Sequence, residues 1–179
     1  MKGLEIRRPL TSDKQELTDL FQEVIKETFK REKISHLVAD QQQELNMKMH
    51  YLESDLAKQK IARYFLIAID SRDDKIVGTI EYGNANEIIQ DILKEELSQY
   101  PEIGTVFVLP KFQGKGIGTM LLDTIIKEIK LSGFKGYCLD SGYKQSQQFW
   151  IRKIGQPTFI QENYWDKDNH HMVWKRELE

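Results

Sequence analysis

Cysteine is almost missing from this chain. Cys138 is the only one in 179 residues, so neither an intrachain disulfide nor a cysteine-based zinc site can form. Histidine is scarce too, and the four that occur lack ligand spacing. His36 and His50 have no partner at a useful interval, and His170 and His171 point to opposite sides of a strand. Asp166-Lys167-Asp168 begins like a calcium loop, but His171 stands where that loop requires glycine. No metal site is therefore expected. An excess of one charge sign is also absent. Lys and Arg number 26 against 28 Asp and Glu, a formal net charge of -2, so neither a nucleic-acid nor a membrane-surface partner is expected. No apolar run is long enough to span a bilayer. The N-terminus carries Lys2, Glu5, Arg7 and Arg8 rather than the apolar core of a signal peptide. These absences point to a reducing, cytoplasmic setting. There is no internal repeat, low-complexity tract or Gly/Ser linker, and the length suits one domain over residues 1–179.

What is present is alternation of strand and helix patterns. Gly3 to Arg8 alternates apolar and charged residues and reads as a short strand stopped by Pro9. Ser12 and Gln15 have capping-box spacing ahead of a helix with Leu17, Leu20, Phe21, Val24, Ile25 and Phe29 on one face. A loop or broken helix is expected from Lys33 to Asp40. A second helix then carries Leu45, Met49, Leu52 and Leu56. Arg63 to Asp70 and Lys75 to Tyr82 form a hairpin around the turn Ser71–Asp74. A helix follows from Asn86 to Gln99, ended by Pro101. Ile103 to Leu109 is apolar and β-branched, as expected of a central strand. Gly116 to Ser132 is a long helix with Gly133 as its stop, and Lys135 to Ser141 is a strand. Gln145 to Ile154 is a short helix with Phe149, Trp150 and Ile154 inward. Thr158 to Trp165 and His171 to Arg176 close the chain as a hairpin. This order predicts an α/β (α+β) fold: a mixed, mostly antiparallel sheet of about seven strands with helices on both faces.

Chemistry concentrates between Glu102 and Thr119. A buried strand ends in the glycine-rich loop Gln113-Gly-Lys-Gly-Ile-Gly-Thr119, which opens the long helix. Free N–H groups at a helix start favour an anion, and Gly114, Gly116 and Gly118 remove side chains that would keep a diphosphate away. The dinucleotide fingerprint fails because Thr119 occupies its third glycine. The P-loop fails because Ile117, not Lys, follows Gly116. The spacing that fits is Q/R-x-x-G-x-G/A, filled by Gln113, Gly116 and Gly118. Together with the strand E-I-x-x-V-x-V-x-P before it and the stretch Ser146 to Gly155, it resembles the GCN5-related N-acetyltransferase (GNAT) superfamily over nearly the whole chain.

The resemblance implies an enzyme that moves the acetyl group of acetyl-coenzyme A directly to a primary amine, on a small molecule or a polypeptide. The pantetheine arm would pair with the backbone of Val106, Phe107 and Val108, one of whose N–H groups would polarise the thioester carbonyl. The amides of Gln113, Gly114, Lys115, Gly116, Ile117, Gly118 and Thr119 would hold the pyrophosphate. Ser146 stands where the family often has a pantetheine-binding Asn. A lysine-like amine ordinarily titrates at about pH 10.4, so a general base is useful at neutral pH. Glu102 stands where the family commonly keeps that carboxylate. The family's tyrosine acid falls at Ile151, which cannot donate a proton, so Tyr143 is the leading substitute. The leaving thiol has a pKa of roughly 8.5, so water is an alternative donor. The same departure allows a second reading, a non-catalytic or weakly catalytic acyl-coenzyme A sensor on the same fold. Plainer readings stand beside these: Glu102 as a solvated carboxylate, Cys138 as a small buried hydrophobe, and Phe149 and Trp150 as core. The final hairpin, ending in Trp174, would offer a sheet edge through which two copies could form a homodimer.

Overall fold

The computed structural model describes residues 3–57 and 63–178. Seven strands form one mixed sheet in the order β1-β2-β3-β4-β5-β7-β6. The strands are β1 Leu4–Arg7, β2 Tyr64–Asp70, β3 Lys75–Gly83, β4 Glu102–Val108, β5 Gly136–Ser141, β6 Phe159–Asp166 and β7 Asn169–Glu177. The helices are α1 Lys14–Arg31, α2 Val38–Leu56, α3 Glu87–Leu93, α4 Ile117–Leu131 and α5 Lys144–Ile154. Close contacts divide the chain into two units. One comprises Met1–Gly83 with Gly104–Ile125, the other Asn84–Ile103 with Ile126–Glu179.

In the first unit, β1 and β3 both run antiparallel to β2. Contacts of Thr79 with Thr105 and of Val77 with Leu109 set β4 antiparallel to β3. Partners across β2 and β3 share a face, so Phe65 and Ile67 lie with Glu81 and Thr79. Phe21 of α1 packs on that face, its ring 6.4 Å from Phe65 and 5.7 Å from Phe107. Gly78 belongs to the opposite face, where Leu121 and Ile117 of α4 approach within 3.2 and 3.4 Å of where a Cβ would stand. All six expected apolar residues of α1 are buried. Its start differs from the expected capping box. The Asp13 carboxylate accepts the Leu10 N–H at 2.7 Å and pairs with Arg7, while Gln15 turns to Asp19. Helix α2 begins at Val38, so the segment expected as a loop to Asp40 is shorter.

In the second unit, β5 runs parallel to β4 at Glu102 and Cys138 and antiparallel to β7. Ile89, Cys138 and Val173 form a buried cluster. Cys138 is a small buried residue whose thiol donates to the Tyr100 carbonyl at 3.2 Å. Helix α3 is half the expected length, because Lys94 takes a left-handed φ of 51° and ends it. Leu97 still packs against the cluster without being helical, so apolar periodicity overstated the helix. The final hairpin lies at one end of the sheet, as expected. Trp174 lies on β7, between β5 and β6, and is 0% exposed, its indole N–H donating to the Gly155 carbonyl at 2.9 Å. The edge strand at that end is β6, exposed along its whole length.

One contact at the end of β2 has a pH signature. Arg72 grips Asp70 through Nε at 2.9 Å and Nη2 at 2.6 Å, and this hydrogen bond lowers the carboxyl pKa from 3.8 to about 2. The pairing therefore stabilises the fold above pH 4 and its contribution disappears as pH falls from 4 to 2. Arg72→Ala should be less stable than the wild type near neutrality. Urea unfolding at stepped pH should show the gap closing across that acid range.

Candidate active site

The glycine-rich loop belongs to the first unit. Gly114 and Gly116 have φ of 72° and 79°, left-handed values that strain other residues. A Cβ at either position would meet nothing within 4 Å. The backbone conformation, rather than crowding by the protein, is what selects glycine there. The Gln113 N–H reaches the Pro110 carbonyl at 3.3 Å. From Gly114 to Thr119 the N–H groups have no hydrogen-bond partner among the described residues. Such a row, opening the 15-residue α4, suits an anion. The Gln113 side chain is itself engaged. Its amide donates to the Val108 carbonyl at 2.9 Å and accepts from Arg31 of α1 at 2.7 Å, tying the loop to the end of β4. A cavity of about 230 Å³ flanks the loop, with Lys115 and Ile117 on its wall together with Asp70 and Arg72.

Val106, Phe107 and Val108 are half-buried on β4. Just before them the strand is bent: Thr105 has a φ of 47°, a rare conformation for a β-branched residue. Its hydroxyl donates to Glu81 Oε1 at 3.0 Å and its carbonyl accepts from Thr79 Oγ1 at 2.8 Å. Glu81 is 0% exposed, pairs with Arg63 at 3.2 Å, and has its pKa raised by burial. Arg63 in turn lies 3.9 Å over the Tyr51 ring. Two side-chain hydrogen bonds thus hold the bend.

Glu102, Tyr143 and Ser146 belong to the second unit. Glu102 opens β4 and is 6% exposed. Its oxygens accept from Asn86, from the main-chain N–H at 2.9 Å and from Nδ2 at 3.1 Å. It is therefore a buried, hydrogen-bonded carboxylate, not a solvated one. Asn86 Nδ2 also reaches Asp140 Oδ2 at 3.1 Å, which faces His171 Nε2 at 2.9 Å. Tyr143 precedes α5, its N–H donating to Ser141 Oγ at 3.2 Å. Ser146 and Ile151 are half-buried on α5, Trp150 is buried, and Phe149 stands edge-on to it at 4.9 Å. Sequence reasoning found neither Asn86, Asp140 and His171 nor Glu81 and Arg63. Their partners lie 16 to 54 residues away, and no local spacing signals them.

No curated protein matches the chain. PaiA N-acetyltransferase from Thermoplasma acidophilum, solved with coenzyme A, has a similar structure. Its TM-score is 0.64 at 19% identity, over 97% of this chain and 99% of that one. A GNAT-family acetyltransferase from Staphylococcus aureus Mu50 gives 0.62 at 21% identity, over 96% and 98%. Ribosomal-protein-alanine N-acetyltransferase from Brucella melitensis gives 0.69 at 16%, over 97% and 99%. These likenesses show a shared fold. The acetyltransferase (GNAT) family pattern matches residues 18–156, well over half of the chain, and the protein belongs to that family.

Proposed function

We propose that this protein transfers the acetyl group of acetyl-coenzyme A to a primary amine of a small molecule or a polypeptide. The observation that carries the reading is the row of unpartnered N–H groups from Gly114 to Thr119 at the head of α4, in a chain of this family. That row, with Gln113 anchoring it, would hold the pyrophosphate. The backbone of Val106 to Val108 would hold the pantetheine arm, and Ser146 would add a hydroxyl contact. When bound, acetyl-coenzyme A supplies an activated thioester. Glu102 acts as general base, directly or through water, because an amine of pKa about 10.4 is almost wholly protonated at pH 7. Tyr143 donates a proton to the departing thiolate, which leaves as the free thiol of coenzyme A.

Coenzyme A titrated by calorimetry should bind at one site per chain. A panel of polyamines, amino acids and peptides with an N-terminal alanine should then contain acceptors that drive thiol release. Tight binding with no turnover across the panel would favour the sensor reading, which draws its support from Ile151. In that case Ile151→Tyr should raise the rate sharply.

A further inference from the structure

Glu102 is held by a residue that no motif marks. Asn86 caps α3, its Oδ1 accepting the Ile89 N–H at 2.9 Å. With the oxygen engaged there, the two hydrogens on Nδ2 point away from the helix, to Glu102 Oε1 and Asp140 Oδ2, each at 3.1 Å. The Asn86 main-chain N–H takes the other Glu102 oxygen at 2.9 Å. A flipped amide would set its oxygen against two carboxylates and remove the cap, so one orientation satisfies every contact. The network continues outward. Trp165 Nε1 donates to His171 Nδ1 at 3.1 Å. Because an indole nitrogen can only donate, His171 carries its ring hydrogen on Nε2, aimed at Asp140. Five side chains are thereby linked within the second unit, and the Glu102 carboxylate is gripped through both oxygens.

We propose that Asn86 is a positioning residue for Glu102, setting the carboxylate where it can take the acceptor's proton. This rests on the reading of Glu102 as general base. Proton transfer needs heavy atoms about 2.6–3.2 Å apart. A misplacement of about 1 Å can cost about 100-fold. A glutamate side chain released from Nδ2 keeps the main-chain donor on one oxygen and loses the Asn86 donor on the other. The rest of the network, from Asp140 outward, orients Asn86.

Asn86→Ser separates the two roles of this residue. Serine is among the preferred helix caps, so α3 keeps its start while the Nδ2 donor is lost. At pH 7, kcat should fall roughly 10- to 100-fold. The KM for acetyl-coenzyme A should stay within about twofold, because Asn86 lies outside the coenzyme-binding backbone proposed above. The deficit should narrow as pH rises toward 9.5, since the acceptor amine then provides about tenfold more neutral form per pH unit. In a Glu102→Gln background, Asn86→Ser should cost nothing further. Asn86→Asp, an equally good cap that replaces the donor by a carboxylate, should show the same pattern more strongly and serves if the serine variant folds poorly. A kcat unchanged at pH 7, or a deficit equal at every pH, would overturn the proposal. If Glu102→Gln is crippled and Asn86→Ser multiplies its loss by the full factor, this inference fails alone. If Glu102→Gln keeps wild-type turnover, the base reading fails and takes this inference with it.

Discussion

Glu102→Gln is expected to lower kcat about 10²- to 10⁴-fold at pH 7 while leaving coenzyme A affinity unchanged. An amine of pKa about 10.4 presents roughly one neutral molecule in 2,500 at that pH, so removing the proton is a large part of the barrier. Glutamine matches the shape of glutamate and its one oxygen can still accept one of the two Asn86 donors, but it takes no proton. The coenzyme-binding segments proposed above do not include residue 102, so calorimetry with coenzyme A should give an unchanged Kd. The loss should shrink by about tenfold per pH unit as the amine deprotonates by itself. Steady-state rates between pH 7 and 10, with a melting curve to confirm folding, test this. Turnover within threefold of wild type at pH 7 would leave Glu102 as a structural anchor for α3.

The double substitution Gly114→Val, Gly116→Val is expected to weaken coenzyme A binding about 30- to 1,000-fold. Both glycines have left-handed φ, of 72° and 79°. A side chain in that region costs roughly 1–2 kcal/mol per residue, and valine is among the residues least suited to it. The protein leaves open space at both positions, so the penalty is one of backbone strain, relieved when the loop moves. Movement scatters the N–H groups of residues 114–119. If about 2–4 kcal/mol of distortion is charged to the bound state, the Kd rises by the stated factor, at about 1.4 kcal/mol per tenfold. Fold stability should be affected less, because an exposed loop can adopt another shape without breaking the core. Calorimetry paired with urea unfolding separates the two. Unchanged affinity would show that these amides do not meet the coenzyme. Against Glu102→Gln the contrast is diagnostic, since one variant loses turnover and the other loses binding.

Legibility in the sequence followed the range of the interactions involved. Helix α1 was readable because its six buried residues recur at helical spacing, and the glycine loop because its features lie within seven consecutive residues. The strand pattern from Ile103 to Leu109 was readable as β, yet its bend at Thr105 was not. A threonine predicts extended backbone, and the φ of 47° is held by Glu81 and Thr79 from another strand. The helix read from Asn86 to Gln99 was too long because packing against Ile89, Cys138 and Val173 needs apolar residues but not helical ones. The final hairpin was readable as an edge of the sheet, yet not which of its strands is outermost; Trp174 sits on the inner one. Strand order places β6 outside it.

The amino-acid sequence alone determined most of the elements, the glycine-rich turn that opens α4 and the family. Each of these is written in neighbouring residues, where spacing translates directly into a helix face, a strand or a turn. Tertiary structure alone decided what surrounds Glu102. The capping amide, the second carboxylate, the histidine and the indole that complete the network are brought together from residues 86, 140, 171 and 165. A hydrogen bond depends on atoms placed within about 3 Å, and for residues far apart in the chain only the folded sheet sets that distance.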